Sequence, residues 1–361
     1  MRIAEIRTTE IDIPLRTPFK TALRTVESVH DVLVRMMTDS GGCGYGEAPP
    51  TAVITGETIG SIRTAIDEII APTLKGMEIE NIDGIMHRLE KCMVKNTSAK
   101  AAVDMAVYDL YAKACGKPLY QLLGGSKKQL ETDLTISVNP IDEMVRDSLE
   151  AVSRGFRILK VKVGKGDQGD VDRMIAIRQA VGKGIVLRVD ANQGWEAKQA
   201  VRLIRAMEDA GVAPELVEQP VKAHDLDGMR LITASVETPV LADESLFDAK
   251  DALTLLQTHA ADLLNIKLMK TGGIWQALKI CSIAEIYGVE CMVGCMLESK
   301  LAVSAAVHLA AGRSIITRAD LDGPALCRVD PYPGGPVYDG PAITLNETPG
   351  IGVDAGFAFA E

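Results

Sequence analysis

The chain reads as an α/β protein, a (β/α)8-type barrel, or modified TIM barrel, with an N-terminal α+β capping domain. Three observations predict this. From Thr132 onward, short runs rich in Val, Ile and Leu are each followed by a stretch of helical spacing, the alternation that marks parallel βαβ units. These runs end near Val138, Val163, Asp190, Glu218, Asp243, Lys267, Val293 and Asp320, and eight such strands close a barrel. Between Lys162 and Lys267 the charged run ends lie 28, 28, 25 and 24 residues apart, which is the length of one strand, one helix and two loops.

The cap comes first. Ile3 to Ile13 and Val32 to Met37 alternate apolar and polar residues as strands do, and Gly41, Gly42, Gly44 and Gly46 read as a tight turn. Residues Thr58 to Ala114 have apolar positions at helical spacing, and the Ala-rich stretch from Ser98 predicts a helix packed on several sides. The expected domains are a cap over 1–125, with loops near 16–27 and 50–57 that set specificity, and a barrel over 126–325. A Pro- and Gly-rich segment over 326–361 is expected to pack back on the cap.

Composition narrows the class of function. The 361 residues are 47% hydrophobic and 24% charged, enough apolar content for a large core. The formal charge is −10 with no basic cluster, which argues against nucleic acid as a partner. No apolar run reaches membrane-spanning length, and the first fifteen residues predict a strand in place of a signal peptide. Seven scattered cysteines without a CxxC pair suit free thiols in the cytoplasm.

The informative residues are charges at strand ends, because an unpaired buried charge costs several kcal/mol. The C-terminal ends of barrel strands converge on one mouth. Asp190, Glu218 and Asp243 come from three adjacent strands and offer carboxylate oxygens, the hard ligands that suit Mg²⁺. One such acid is as readily a helix N-cap; three at one-unit spacing are not. Asn192 and Glu244 are placed to orient these ligands. Lys160 and Lys162 share one face of the second strand, pointing into the barrel. Their mutual repulsion should lower the pKa of at least one and make it a general base. Lys267 on the sixth strand stands opposite Lys162 across the mouth. Two bases facing each other over a metal suggest a carbon acid deprotonated from either face, as an epimerase or racemase needs.

These residues, with the Asp190-Ala191-Asn192-Gln193 and Ala242-Asp243-Glu244-Ser245 runs, resemble the muconate-lactonizing subgroup of the enolase superfamily over nearly the whole chain. Within it the chain is most similar to the dipeptide epimerases. The resemblance implies catalysis by Lys162 and Lys267 assisted by Lys160, and Mg²⁺ on Asp190, Glu218 and Asp243. That mechanistic scheme, a Lys base with Mg²⁺ stabilising an ene-diolate, is the superfamily's known one. The resemblance further implies that Asp320 and Asp322 hold the α-ammonium of a dipeptide, while Thr135, Lys160, Cys295 and Met296 contact it. Arg24, in a loop resembling the cap loops that close over substrate, would pair with an acidic side chain. The expected reaction is interconversion of L-Ala-L-Glu and L-Ala-D-Glu, in a homo-oligomer. The same scaffold serves o-succinylbenzoate synthases and lactonizing enzymes, whose substrates have no ammonium for Asp320 and Asp322. A barrel that merely binds an amino acid derivative would have no use for two opposed lysines.

Overall fold

The structure, a computed structural model, describes residues 1–20, 25–165 and 168–359. The cap sheet contains β1 (Ile3–Lys20), β2 (Thr25–Thr38) and β3 (Cys43–Ala48), antiparallel in that order. Behind it lies the Thr97–Ala114 helix, buried on nearly every side as its Ala-rich sequence requires. Gly44 and Gly46 belong to β3, not to the turn expected of them. A Cβ at these positions would come within 2.2 Å of Ala106 O and 1.9 Å of Ala102 O. Glycine therefore lets the helix backbone lie directly on the strand. The turn itself is closed by Thr38 N–H to Gly42 O at 2.9 Å and Gly41 N–H to Thr38 O at 3.1 Å.

A short β4 (Gln129–Glu131) leads into the barrel. Its strands are β5 (Leu134–Ile136), β6 (Ile158–Lys162), β7 (Val186–Asp190), β8 (Leu216–Glu218), β9 (Val240–Ala242), β10 (Leu263–Lys267), β11 (Cys291–Gly294) and β12 (Ile316–Asp320). All are parallel and neighbour one another in chain order, with ends within two residues of those expected. Side chains join the two ends of the sheet: Leu321 N–H donates to Thr132 Oγ1 at 2.8 Å and Thr135 N–H to Asp322 Oδ2 at 2.7 Å. Inside the barrel, Leu216, Leu241, Leu263 and Met292 form an apolar plug. Abreast of Leu216, the buried Arg188 spans the same seam, bonding Asp133 Oδ2 at 2.8 Å and Ala319 O at 3.0 Å.

After the barrel, β13 (Val337–Asp339) and β14 (Ala342–Thr344) pair with β4 in a second small sheet. The segment touches the cap through Arg328 N–H to Pro14 O at 2.8 Å and Ile351 N–H to Asp109 Oδ1 at 2.9 Å. No described helix is long and apolar enough to cross a membrane, and all seven cysteines are free thiols.

One buried histidine makes the fold acid-sensitive. His308, on the Lys300–Gly312 helix, accepts the Tyr120 N–H at Nδ1 at 3.0 Å, and burial lowers its pKa to about 4. The folded chain thus binds fewer protons than the unfolded chain between about pH 4 and 6.5. Stability is complete above that window and falls by about 3 kcal/mol as pH drops through it. His308→Asn, which keeps an acceptor but does not titrate, is expected to flatten this part of the pH dependence of urea denaturation relative to the parent.

Candidate active site

The parallel register sets Lys162, Asp190 and Glu218 abreast at the ends of β6, β7 and β8. Asp243 follows the last residue of β9. On the far side, Lys267 ends β10 and is abreast of Gly294, itself abreast of Asp320. A Cβ on Gly294 would sit 3.0 Å from Lys267 Cε, so glycine there leaves the lysine its path into the mouth. Lys160, Lys162, Lys267, Asp243, Asp320, Asp322, Thr135, Cys295 and Met296 all line one cavity. Asp190 and Glu218 lie just beneath it, fully buried. Arg24 lies outside the described residues.

Lys160 is the hub. Its ammonium lies 2.7 Å from Glu218 Oε2, 2.7 Å from Asp320 Oδ2 and 3.1 Å from Asp190 Oδ2. Lys162 pairs with Asp190 at 2.6 Å and Lys267 with Asp243 at 2.7 Å. The expectation that repulsion between Lys160 and Lys162 would lower a lysine pKa is reversed at Lys160. Burial opposes its charge, but Asp320, Glu218 and Asp190 outweigh burial and hold its pKa well above the usual lysine value. At Lys267 burial is likewise overcome, chiefly by Asp243, and the pKa rises. The sequence reading counted the lysine pair without the carboxylates that surround it.

A fourth lysine was missed. Lys270 is fully buried on the short Leu268–Thr271 helix and donates to Asp243 O, Asp243 Oδ1 and, at 3.2 Å, Asn265 O. Its three protons are thereby all used, so it holds Asp243 from behind. Its only signal in the sequence was a spacing of three from Lys267. Arg188 was also missed, although it precedes Asp190 by two residues and so shares its inward face, the same rule that identified Lys160 and Lys162.

Asn192 and Glu244 both line the cavity. Asn192 N–H donates to Asp190 Oδ1 at 2.8 Å, and Asn265 Nδ2 steadies Glu218 Oε1 at 2.9 Å. Six carboxylates at these strand ends, Asp190, Glu218, Asp243, Glu244, Asp320 and Asp322, face four lysines, Lys160, Lys162, Lys267 and Lys270. The shortfall is two positive charges, that of one divalent ion. Burial and the neighbouring acids accordingly push Glu218 up to about 7 and Glu244 up to about 8. Glu244 Oε2 and Asn192 Oδ1 are buried without a hydrogen-bond partner, a cost that a cation would remove. The oxygen-only donors thus fit a hard dication.

Among the described residues, the acids whose carboxylate oxygens all lie within 4.8 Å of one another are not Asp190, Glu218 and Asp243 but Asp133, Asp320 and Asp322. Asp133 is held by Arg188, Asp320 by Lys160 and Asp322 by the Thr135 N–H, so this trio already has cationic and N–H partners. Burial and then the Asp320 charge raise Asp322 to about 6; a further cation in the cavity would relieve both. The Cys295 thiol is pushed well up by burial and by Glu298, which makes it an inert wall. Phe19, Thr51, Val53 and Ile54 of the cap roof the cavity.

Residues 3–124 match the profile of the mandelate racemase / muconate lactonizing enzyme N-terminal domain, and residues 143–356 that of the enolase C-terminal domain-like family. The chain belongs to the enolase superfamily. This superfamily member is 52% identical to the L-Ala-D/L-Glu epimerase of Clostridium acetobutylicum over 354 residues, 98% of this chain and 99% of that one. Its structure is similar, at TM-score 0.96 and 50% identity, to a substrate-liganded complex of the L-Ala-D/L-Glu epimerase from Bacillus subtilis, covering 98% and 99% of the two chains. A dipeptide epimerase from Enterococcus faecalis, complexed with Mg and L-Leu-L-Tyr, is similar at TM-score 0.95 and 43% identity, with 98% and 100% covered.

The hub makes a prediction about stability. Lys160→Met leaves Asp190, Glu218 and Asp320 without their shared cation, and is expected to cost about 3–5 kcal/mol. Urea denaturation in the presence of a chelator reads this cost directly, and added divalent ion should recover part of it in the variant.

Proposed function

We propose that this protein is a Mg²⁺-dependent dipeptide epimerase, an isomerase that interconverts L-Ala-L-Glu and L-Ala-D-Glu by proton transfer at the Cα of the C-terminal residue. One observation carries the reading: Lys162 and Lys267, from the second and sixth strands of eight, enter one cavity that also holds the acid pair Asp320 and Asp322. The relatives named above support it, since they act on dipeptides.

Asp190, Glu218 and Asp243 would hold the metal. When bound, Mg²⁺ would supply Lewis-acid stabilisation of the charge that develops on the substrate's terminal carboxylate, and would offset Asp243, the carboxylate that raises the pKa of Lys267. Lys162 takes or returns the α-proton of the L-epimer and Lys267 that of the D-epimer, each alternating as base and conjugate acid. The Lys160 ammonium, fixed by three carboxylates, offsets the negative charge of the enolate without itself exchanging a proton. Asp320 and Asp322 anchor the dipeptide's ammonium. The roof of Phe19, Val53 and Ile54 excludes water over the reacting carbon. Free thiols throughout the chain fit a cytoplasmic enzyme.

A second specificity has its own support. The described wall is apolar at Phe19, Val53, Ile54, Met296 and Leu297, which suits an apolar C-terminal side chain, whereas an acidic one depends on Arg24. Lactone formation and succinylbenzoate synthesis are disfavoured, because their substrates leave Asp320 and Asp322 unpaired.

Incubation with L-Ala-L-Glu and Mg²⁺, followed by chiral chromatography, is expected to yield L-Ala-D-Glu, and excess chelator to stop it. Asp320→Asn with Asp322→Asn should lower kcat/KM by about 100-fold or more, as loss of charge-assisted bonds worth about 3 kcal/mol requires. Unchanged turnover by that double variant would remove the ammonium anchor. Turnover of apolar dipeptides alone would keep the reaction and discard Arg24.

A further inference from the structure

The cap does more than cover the mouth: it supplies carboxylates that two barrel helices need. A helix N-terminus leaves backbone N–H groups unpaired unless a cap accepts them. The Ile274–Tyr287 helix, which follows β10, begins after Gly273 and so has no side chain of its own to cap it. The cap residue Asp104, 1% exposed on the Thr97–Ala114 helix, accepts Ile274 N–H at 2.7 Å and Trp275 N–H at 3.2 Å. A Cβ on Gly273 would lie 2.2 Å from Asp104 Cγ, so the glycine leaves room for a carboxylate from the other part of the molecule.

The Lys300–Gly312 helix, which follows β11, has its own cap in Ser299, whose Oγ accepts Leu301 N–H at 3.3 Å, and a cap-domain carboxylate meets it as well. Glu47 at the end of β3, fully buried, accepts Ser299 N–H at 2.8 Å, Ser299 Oγ–H at 2.6 Å and Ala302 N–H at 2.9 Å. The roof loop that carries Thr51, Val53 and Ile54 starts just after Glu47 and ends at Glu57, which accepts Ser98 N–H at 2.9 Å and Ala99 N–H at 3.0 Å. Ser98 Oγ also donates to Pro49 O at 2.8 Å. Roof, cap helix and the rim of β10 and β11 are therefore one connected body.

That rim belongs to Lys267. The cap helix packs on the Leu268–Thr271 helix, which continues from Lys267 and carries the lysine that grips Asp243. Among the described residues, the cap meets the other side of the mouth without a buried carboxylate at a helix N-terminus: Lys20 Nζ donates to Asn139 Oδ1 at 3.1 Å, Lys20 N–H to Ser137 Oγ at 3.2 Å, and Lys20 O accepts Val138 N–H at 3.4 Å. From this asymmetry we infer that Asp104 and Glu47 are positioning residues for one half of the reaction. Acting through the two helix N-termini, they set Lys267, and not Lys162, against the substrate Cα. The inference rests on the epimerase reading above.

The test is a partition ratio in D₂O with Mg²⁺ at low conversion, comparing the parent with Asp104→Asn and Glu47→Gln. Starting from L-Ala-L-Glu, Lys162 removes the α-proton, and a solvent deuteron returns either from Lys162 to the same face or from Lys267 to the opposite one. The ratio of deuterium in recovered L-epimer to D-epimer formed should rise at least fivefold in both variants. Starting from L-Ala-D-Glu, the ratio of deuterium in recovered D-epimer to L-epimer formed should fall. Loss of folded protein or a general loosening lowers all rates but leaves both ratios unchanged, and that result would overturn the inference. If Asp104→Asn does not fold by circular dichroism, Glu47→Gln decides by the same ratios. Absence of any exchange or inversion in the parent would instead defeat the epimerase reading.

Discussion

The charge at the centre of the barrel mouth constrains everything around it. Lys160 is buried with Asp190, Glu218 and Asp320 within 3.1 Å, and these carboxylates come from three different strands. Gathering ions in a low-dielectric interior is costly unless each is met by an opposite charge and by hydrogen bonds. The strands must therefore end in register, the barrel must close at the seam where Asp322 takes the Thr135 N–H, and four lysines must converge on six acids. The remaining shortfall of two charges is what a bound dication would offset.

Closure and chemistry are linked in the same way at the seam. Arg188 holds Asp133 and Ala319 O across it, which places Asp320 and Asp322 at the cavity edge with their charge only partly met. A barrel with an uninterrupted ladder there would have no need of these side chains. The mouth is completed from outside by the cap, whose Asp104 and Glu47 cap barrel helices and whose roof loop lies between Glu47 and Glu57. The roof residues Thr51, Val53 and Ile54 thus sit on a loop, while the carboxylates that hold its two ends are buried and hydrogen-bonded.

Much of this was legible in the sequence for a definite reason. A parallel strand buried on both faces is an apolar run, so a charge at its end stands out, and the nearly constant spacing from Lys162 to Lys267 turned five such charges into a ring. The period of two then aimed Lys160 and Lys162 inward. Lys270 escaped because its direction depends on a one-turn helix folding back beneath Asp243, which no local pattern announces. Gly44 and Gly46 were misread as a turn because their reason is a helix more than fifty residues away. The small sheet of β4, β13 and β14 was not foreseen, since three-residue strands carry no periodicity. At Lys160 the pKa rises in place of falling because electrostatics at a convergence point is set by the whole ring and not by nearest neighbours in sequence.

The central claim is that two lysines serve opposite faces of one carbon. It is tested most directly by following α-deuterium exchange of each pure epimer, in D₂O with Mg²⁺, in Lys162→Ala and Lys267→Ala. Lys162→Ala should exchange L-Ala-D-Glu alone and Lys267→Ala should exchange L-Ala-L-Glu alone, with interconversion reduced by about 10²-fold or more in both. If either variant exchanged both epimers, or if loss of one lysine abolished exchange of both while the other variant exchanged both, the two faces would not be divided between Lys162 and Lys267, and the account would be wrong.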